Sequence, residues 1–385
     1  MCTIRLESDT VNQDFLGPVR FVNMEGDATV MDGTSLRKLD HLRICIERDV
    51  EVGETHLDEV TLVHRALPDL DLEDVDVSQV FLGRRLELPL VIAGMTGGCS
   101  EAKEINEALA KAAARNGIGF GVGSQRAMIE SPELADTFFV RHVAPEILLL
   151  GNVGITAIKR FSLERIHEAV RAIRADALCV HINPAQELFQ KEGDWDFSSG
   201  LANLRRLCQE ATYPVVAKEV GNGISRECAE DLKSCGVSAI DLGGFGGTSW
   251  ILVDSIRSGT DAGRFLSWGI PTAISIVEAR GFGIPLIATG GIRNGLQMAK
   301  AILLGADLCG IALPFLRVLS KEGREGVDRY VDNLKREFRY ALYLTGSRTI
   351  SEFRKSPSVL GGTLLEWARQ RGLEARNHST MRESF

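Results

Sequence analysis

The chain has 385 residues, of which 44% are hydrophobic and 25% are charged. This composition is typical of a soluble globular protein and excludes a disordered or fibrous chain. No apolar stretch approaches the ~18 residues of a membrane span, and the first residues contain acids where a secretory signal would be apolar. We therefore expect a cytoplasmic protein without a membrane span.

The formal net charge of −8 argues against a broad basic surface, so we expect no nucleic-acid partner. An anionic ligand would instead need a local group of cationic side chains. The eight cysteines show no CxxC or zinc-ligand spacing, which predicts reduced thiols.

Somewhat less than the first quarter of the chain precedes the regular part of the pattern. We assign residues 1–35 to an N-terminal extension, followed by a charged helix over 35–49 and a strand-like segment over 59–67. The main domain then runs over residues 36–375, and residues 376–385 form a polar C-terminal tail.

Eight short apolar runs from about residue 88 predict parallel strands that are buried on both faces. Most are followed by helical patterning, for example over 101–116, 162–176, 225–236 and 294–305. This rhythm predicts an α/β fold, a (β/α)8 TIM barrel with an N-terminal extension. A doubly wound open sheet is the alternative, although it seldom needs eight such regular strands. The runs cover 88–95, 117–123, 146–154, 177–183, 213–220, 239–244, 284–291 and 307–314.

Two regions interrupt the rhythm. Residues 248–272, after the sixth strand, would form a long loop or lid over the barrel rim. After residue 315 the pattern is helical to about Arg371.

Glycines follow the seventh strand in the segment TGGIRNG, over 289–295. Freed backbone N–H groups and a helix opening at Asn294 predict a phosphate site, because the seventh and eighth strands commonly hold one in this fold. The alternative is a tight turn that simply needs glycine.

Three further groups at strand ends or on the first helix suggest anion and metal chemistry. Lys218 ends an apolar strand and needs an anion, either a ligand such as reduced flavin or a carboxylate such as Glu219. Residues 181–187 (HINPAQE) would leave the fourth strand as an irregular loop, since Pro184 disfavours helix before it. Glu187 there would bind a hard cation, or would simply be solvated.

Arg37, Lys38 and His41 lie within one turn of the charged helix. With Arg126 opposite, they would clamp a diphosphate. The alternative is a solvated helix face, which the alternating acids also favour.

Several of these segments occur in the order found in a known family. They are LRKLDHL from 36, AGMTGG from 93, SQR from 124, HINPAQE from 181, KEVGNGIS from 218 and TGGIRNGLQMAK from 289. Over roughly residues 30–345 the chain resembles the type 2 isopentenyl-diphosphate isomerases. These are TIM-barrel enzymes that use FMN and Mg²⁺ to interconvert isopentenyl and dimethylallyl diphosphate in isoprenoid biosynthesis, with NADPH as the flavin reductant.

The resemblance implies sets of residues for cofactor, substrate, metal and catalysis. The FMN contacts would be Met95, Thr96, Gly97, Ser124, Asn152, Lys218 and Thr248, with Gly290, Gly291, Ile292, Arg293, Ala312 and Leu313 at the phosphate. The substrate contacts would be Arg37, Lys38, Ser124, Gln125, Arg126 and Gln186. Gln186, His181 and Asn183 would form the catalytic group, and Glu187 would bind Mg²⁺. We also expect a homo-oligomer.

The chain departs from the family pattern at Ala185, Asn222 and Gly243, which leaves room for an altered activity or a related prenyl substrate. One alternative function is an FMN-dependent α-hydroxy-acid oxidase or dehydrogenase. That chemistry requires a His–Arg pair after the sixth strand to take the hydroxyl proton and bind the carboxylate. The segment from Gly243 to Thr248 has no histidine. A non-catalytic flavin-binding barrel is the other alternative; it would not need both Gln186 and Glu187.

Overall fold

The structure is a computed structural model that describes residues 2–5, 20–23 and 33–373, with side chains from residue 36 onward. The predicted polar tail, and most of the predicted N-terminal extension, lie outside the described residues. Strands β1 (Cys2–Arg5) and β2 (Arg20–Asn23) pair in antiparallel fashion. Helix α1 (Gly33–Glu47) matches the predicted charged helix.

Three short strands lie between α1 and the barrel. They are β3 (Val60–Leu62), β4 (Gln79–Phe81) and β5 (Arg84–Leu86). β4 and β5 form a hairpin whose two turn residues, Leu82 and Gly83, have φ angles of 46° and 79°. Positive φ at both positions is what a type I′ turn requires. Phe81 and Leu86 of this hairpin are buried against the apolar interior of the barrel.

Eight parallel strands close into a barrel, which confirms the predicted TIM-barrel fold. Their order around the barrel follows the chain, and β13 pairs with β6 to complete the ring. All eight fall within the predicted apolar runs. They are β6 (Leu90–Ile92), β7 (Gly119–Gly121), β8 (Leu149–Gly154), β9 (Ala177–Ile182), β10 (Val215–Glu219), β11 (Ala239–Asp241), β12 (Leu286–Thr289) and β13 (Leu308–Ile311).

Helices connect these strands, and their apolar faces form one continuous core with the outside of the barrel. They are α2 (Ser100–Asn116), α3 (Arg126–Glu130), α4 (Ile155–Arg160), α5 (Leu163–Ile173), α6 (Pro184–Phe189), α7 (Gly200–Glu210), α8 (Arg226–Ser234), α9 (Trp250–Ser258), α10 (Thr272–Ala279) and α11 (Gly295–Leu304).

After the barrel the chain forms α12 (Leu313–Leu344), α13 (Ile350–Phe353), β14 (Ser358–Leu360) and α14 (Gly362–Gln370). α12 is kinked at Gly323, and β14 pairs with β3 far earlier in the chain. The predicted helical pattern after residue 315 is confirmed except for this strand. In the described part of the chain, no helix is both long and apolar enough to cross a bilayer.

Two predictions of irregular structure are wrong. The segment from Asn183 to Glu187 begins helix α6, because Pro184 occupies the first helical position, where its missing N–H costs no hydrogen bond. The region predicted as a long loop after the sixth strand contains α9. Ser249 caps that helix by accepting a hydrogen bond from the Leu252 N–H at 3.2 Å, a local signal that was readable in the sequence.

We expect Phe338→Ala to lower the free energy of unfolding by about 3–5 kcal/mol, because it leaves a cavity in the core. Phe338 is fully buried on α12, and its ring packs edge-on against Phe353 at 6.4 Å. Urea unfolding measures the loss. The matched control is Phe265→Ala, whose side chain is 53% exposed; a loss there as large as at Phe338 would contradict this description of the core.

Candidate active site

A cavity opens at the carboxyl ends of the barrel strands, where TIM barrels carry their active sites. Helices α1, α6 and α9 and the start of α12 complete its walls. Its empty volume is about 1650 Å³, counting the space open to solvent at the mouth.

The structure brings most of the predicted site residues to this one cavity. Those that line it are Arg37, Lys38, Met95, Thr96, Ser124, Arg126, Asn152, His181, Asn183, Gln186, Glu187, Lys218, Thr248, Gly290, Gly291, Arg293, Ala312 and Leu313. They come from segments almost three hundred residues apart, which only barrel closure makes neighbours.

Three predicted residues do not line the cavity. Gln125 is fully buried, and its amide donates to the Ala169 carbonyl at 2.8 Å and accepts from the Asn152 N–H at 2.9 Å. It therefore ties the loop after β7 to β8, and its side chain is turned away from the cavity in which a substrate contact was predicted. Gly97 lies against Phe138, and Ile292 is fully buried.

A row of polar side chains crosses the barrel interior beneath the mouth. His181 on β9, Lys218 on β10 and Asp241 on β11 occupy matched positions on adjacent strands. The Lys218 ammonium lies 3.1 Å from the Asp241 carboxylate and donates to the Glu219 carbonyl at 2.9 Å. Asp241 was not among the predicted site residues, although an acid within the apolar run AIDLGG is a readable signal.

The imidazole of His181 is held in its neutral form. Its Nδ1 lies 2.8 Å from the Asn152 side-chain oxygen. Burial, assisted by the positive charges of Lys218 and Arg37, lowers the pKa of His181 to about 4. At neutral pH this ring is therefore an uncharged hydrogen-bonding group.

A buried carboxylate joins three elements at the mouth. Asp254 on α9 is fully buried and lies 2.8 Å from the His41 Nε2 of α1. It also accepts from the Gln186 amide of α6 at 2.9 Å. The Gln186 oxygen in turn accepts from Asn183 at 3.1 Å, so both ends of this amide are fixed. Asp254 is a second residue that the sequence analysis did not single out.

Glu187 is the best-placed carboxylate for a cation. Its Oε1 accepts from Asn183 at 2.9 Å, and its Oε2 accepts from the Asp194 N–H at 2.8 Å and from Gln190 at 3.2 Å. Among the described residues, no three His, Cys, Asp or Glu side chains gather as a protein-only metal site would require. A metal here would take one carboxylate and complete its shell with water and substrate oxygens, as Mg²⁺ commonly does.

Cationic side chains line the same cavity as Glu187. Arg37, Lys38 and Arg126 line the cavity, and the Lys38 ammonium donates to the Ser124 carbonyl at 3.1 Å. Burial, and next the charge of Arg126, lower the pKa of Arg37. Guanidinium groups that lie close together repel each other, and an anion that binds between them relieves this repulsion.

The predicted phosphate site differs in one detail. The N-terminus of α11 is already satisfied, because Gly295 N–H donates to Glu337 at 2.7 Å and Gln297 N–H donates to Asn294 at 2.8 Å. The helix that begins at the cavity wall is α12, where Ala312 and Leu313 line the space together with Gly290 and Gly291. Pro314 in this first turn has no N–H, and the Phe315 N–H donates to the Ala312 carbonyl at 3.0 Å, so an anion at this terminus would meet the Leu313 N–H.

Two of the departures from the family pattern have a local explanation. Gly243 has a φ of 48°, and a Cβ there would meet the Glu219 carbonyl oxygen at 2.2 Å, so this backbone requires glycine. Asn222 donates to the Trp268 carbonyl at 2.5 Å and thereby ties two loops at the rim together. Ala185 lies on α6, and nothing in the structure explains the small side chain there.

The cavity also contains a group that fits a bound cofactor. The Thr96 hydroxyl oxygen is buried and has no hydrogen-bond partner among the described residues, and Thr96 lines the cavity. Buried polar groups are nearly always paired, so this oxygen calls for a ligand atom. Together with Lys218, the glycines at 290 and 291 and the α12 terminus, it matches a ligand with a polar ring edge and a phosphate.

Comparison with known proteins places the chain in a family. The family model for FMN-dependent dehydrogenases matches residues 156–359. The isopentenyl-diphosphate delta-isomerase of Pyrococcus abyssi is 44% identical over 353 residues, covering 88% of this chain and 95% of the relative. The chain belongs to the isopentenyl-diphosphate delta-isomerase family. The relative of that name from Archaeoglobus fulgidus is 45% identical over 345 residues, covering 88% of this chain and 99% of its own.

Solved structures agree with the fold of the family. A mutant of flavocytochrome b2 superposes with a TM-score of 0.63 at 19% identity, covering 88% of this chain and 84% of that chain. At this identity the likeness shows the barrel alone.

We expect His181→Gln to flatten the pH dependence of stability. The folded chain keeps the pKa of this imidazole at about 4, whereas the pKa of an unperturbed histidine is 6.5. The stability that His181 contributes is therefore present above pH 6.5 and is lost as the pH falls from 6.5 toward 4, because only the unfolded chain takes up the proton.

Between pH 7 and pH 5 the free energy of unfolding should fall by roughly 2 kcal/mol more in the unchanged protein than in the variant. Urea titration at the two pH values measures this. The control is His64→Gln, an exposed imidazole, which should behave as the unchanged protein does. Equal pH dependence in all three proteins would show that His181 does not titrate in this way.

Proposed function

We propose that the protein interconverts isopentenyl and dimethylallyl diphosphate, with reduced FMN and Mg²⁺ bound in the cavity at the barrel mouth. The observation that carries this proposal is one arrangement. Arg37, Lys38 and Arg126 share a cavity with the fixed Gln186 amide and the Glu187 carboxylate. A small substrate with one highly anionic end and one hydrocarbon end matches a cavity that has cationic side chains and a fixed neutral amide.

The residues present fit FMN. Lys218, Thr96, Ser124 and Asn152, which line the same cavity, would meet the polar edge of the flavin ring, while Gly290, Gly291, Ala312 and Leu313 would surround the phosphate. Reduced FMN, when bound, would supply acid and base at N5 for moving a proton between carbons, without net electron transfer. The protein's own residues bind, orient and exclude water.

The diphosphate end is held by charge. Arg37, Lys38 and Arg126 supply donors of fixed sign, and Glu187 would share Mg²⁺ with the phosphate oxygens. Binding energy gained at this end positions the hydrocarbon for reaction, because an alkene has no charged or hydrogen-bonding group of its own.

The reacting end is lined by groups that are polar but neutral. The Gln186 amide is oriented by Asp254 and Asn183, and the His181 ring is uncharged at neutral pH. Gln186 would sit beside the reacting carbons, with His181 and Asn183 in the same wall. A positive charge that develops on a tertiary carbon is then met by oriented dipoles and not by a nucleophile.

The oxidase alternative is less well supported. The segment after β11, from Gly243 to Thr248, supplies no imidazole, and the cavity's two histidines are engaged by Asp254 and Asn152. NADPH as the flavin reductant, a cytoplasmic location and a homo-oligomer belong to the same proposal. The boundaries of the main domain, at residues 36 and 375, are also part of the proposal.

The proposal is tested by anaerobic product analysis. Purified protein should be yellow, bleach with dithionite or NADPH, and convert isopentenyl diphosphate in the presence of FMN and Mg²⁺. The product is identified by NMR. Conversion that proceeds equally well without flavin, or a flavin-loaded protein that makes no dimethylallyl diphosphate, would contradict the proposal.

We expect Glu187→Gln to lower kcat/KM by at least about a hundredfold and to remove the dependence of rate on Mg²⁺, because the amide is a poor ligand for a hard cation. FMN content should stay normal, since Glu187 lies at the substrate end. Steady-state rates across a Mg²⁺ titration make the measurement.

The control for this variant is Glu210→Gln, a carboxylate on α7 that is 52% exposed and far from the cavity. It should retain full activity and the full Mg²⁺ response. A Glu187→Gln protein that still needs Mg²⁺ for activity would remove Glu187 from the metal site.

A further inference from the structure

The Lys218–Asp241 pair is a buried charge pair that the proposed reaction does not account for. Asp241 is 4% exposed and is paired in register with Lys218 on the adjacent strand. Both side chains point into the barrel, because alternate residues of a strand face opposite sides. The neighbouring Glu219 therefore faces outward, where its carboxylate accepts from the N–H groups of Gly221 and Asn222.

Asp241 is held firmly from its other side. The Thr289 hydroxyl of β12 donates to its Oδ1, and the same hydroxyl accepts from the Gly243 N–H at 2.9 Å. The carboxylate is thus fixed between β10 and β12 and cannot turn away from Lys218. A geometry specified on both sides indicates a defined role for the charge.

A count of donors shows what Lys218 has left for a ligand. An ammonium has three N–H donors, and here the Glu219 carbonyl accepts one of them, while the Asp241 carboxylate lies 3.1 Å away as the ion-pair partner. Lys218 lines the cavity, so a further donor is available to a bound molecule. The carbonyl and the carboxylate together hold the ammonium in place.

A count of charge shows what that ligand would experience. Lys218 and Asp241 together carry no net charge, and His181 beside them is neutral. Opposite charges on paired side chains largely cancel for a third group nearby, whereas a lone charge in a barrel interior acts on it strongly. Removing the carboxylate would therefore expose the ligand to a positive charge that the pair now cancels.

We propose that Asp241 is a positioning residue that cancels the charge of Lys218, so that the lysine offers bound FMN a directed N–H without strongly stabilising an anionic flavin. The inference rests on the proposed function, because it takes FMN as the ligand. It predicts that the reduction potential of bound FMN, and its affinity for sulfite, depend on a residue that does not line the cavity.

The test is a set of FMN-loaded variants of the full chain. Asp241→Asn keeps the shape and removes the charge, and Lys218→Met removes the opposite charge. Reduction potentials are measured against reference dyes, and sulfite binding is measured by loss of flavin absorbance. Sulfite addition leaves negative charge on the flavin ring, so its affinity reports the local charge independently of turnover.

Asp241→Asn should bind sulfite at least about tenfold more tightly and shift the ratio of reduced to oxidised FMN by the same factor, about 30 mV upward for a two-electron couple. Lys218→Met should move both readouts in the opposite direction. Asp307→Asn is the matched control: this carboxylate pairs with Arg354 at 2.8 Å at the start of β13, the opposite end of the strand from the cavity, and should change neither.

Opposite shifts in the two variants support the inference, because general damage to the site would move both in the same direction. Unchanged potentials and sulfite affinities in Asp241→Asn would overturn it. If Asp241→Asn does not retain FMN, Lys218→Met decides, and an unshifted or raised potential there is the overturning result. An unchanged protein that binds no FMN at all would instead contradict the proposed function.

Discussion

Charge buried in the mouth of a barrel is tolerated only where a partner is within reach, and the site of this protein is arranged around that constraint. Asp254 has no exposure to solvent and contacts His41 and Gln186, which belong to two other helices. Lys218 and Asp241 satisfy each other on neighbouring strands. Because each partner comes from a different element, pairing these charges also fixes where α1, α6 and α9 stand.

This arrangement divides the cavity into regions of different chemistry. The rim carries the cationic side chains of Arg37, Lys38 and Arg126 together with the Glu187 carboxylate, while the interior presents neutral or mutually cancelled groups. An anion is drawn to the rim, and a reacting hydrocarbon beside it meets oriented dipoles. The (β/α)8 scaffold is shared with flavocytochrome b2 at 19% identity, so the helix before the barrel and the residues at strand ends, not the fold, carry what is particular to this family.

Sequence patterns were sufficient for the barrel, because each of its strands is an apolar run buried on both faces and each run could be recognised alone. They were also sufficient for most cavity residues, since carboxyl ends of strands converge. They were not sufficient where the direction of a side chain decides whether it reaches the cavity. Gln125 lies between two residues that line the cavity, yet its side chain turns into the core. Asp241 and Asp254 were missed because their roles exist only through partners on distant elements, and Pro184 was taken to oppose the helix that it begins.

The central claim is that these residues hold a substrate while protons, and not net electrons, are exchanged at its carbons. The most direct test is to run the anaerobic reaction in D₂O with reduced FMN and Mg²⁺ and to follow product and flavin together. The account predicts deuterium in the dimethylallyl diphosphate and a flavin that is still fully reduced at the end. Product that contains only hydrogen from the substrate, or one reduced flavin consumed per turnover, would contradict it.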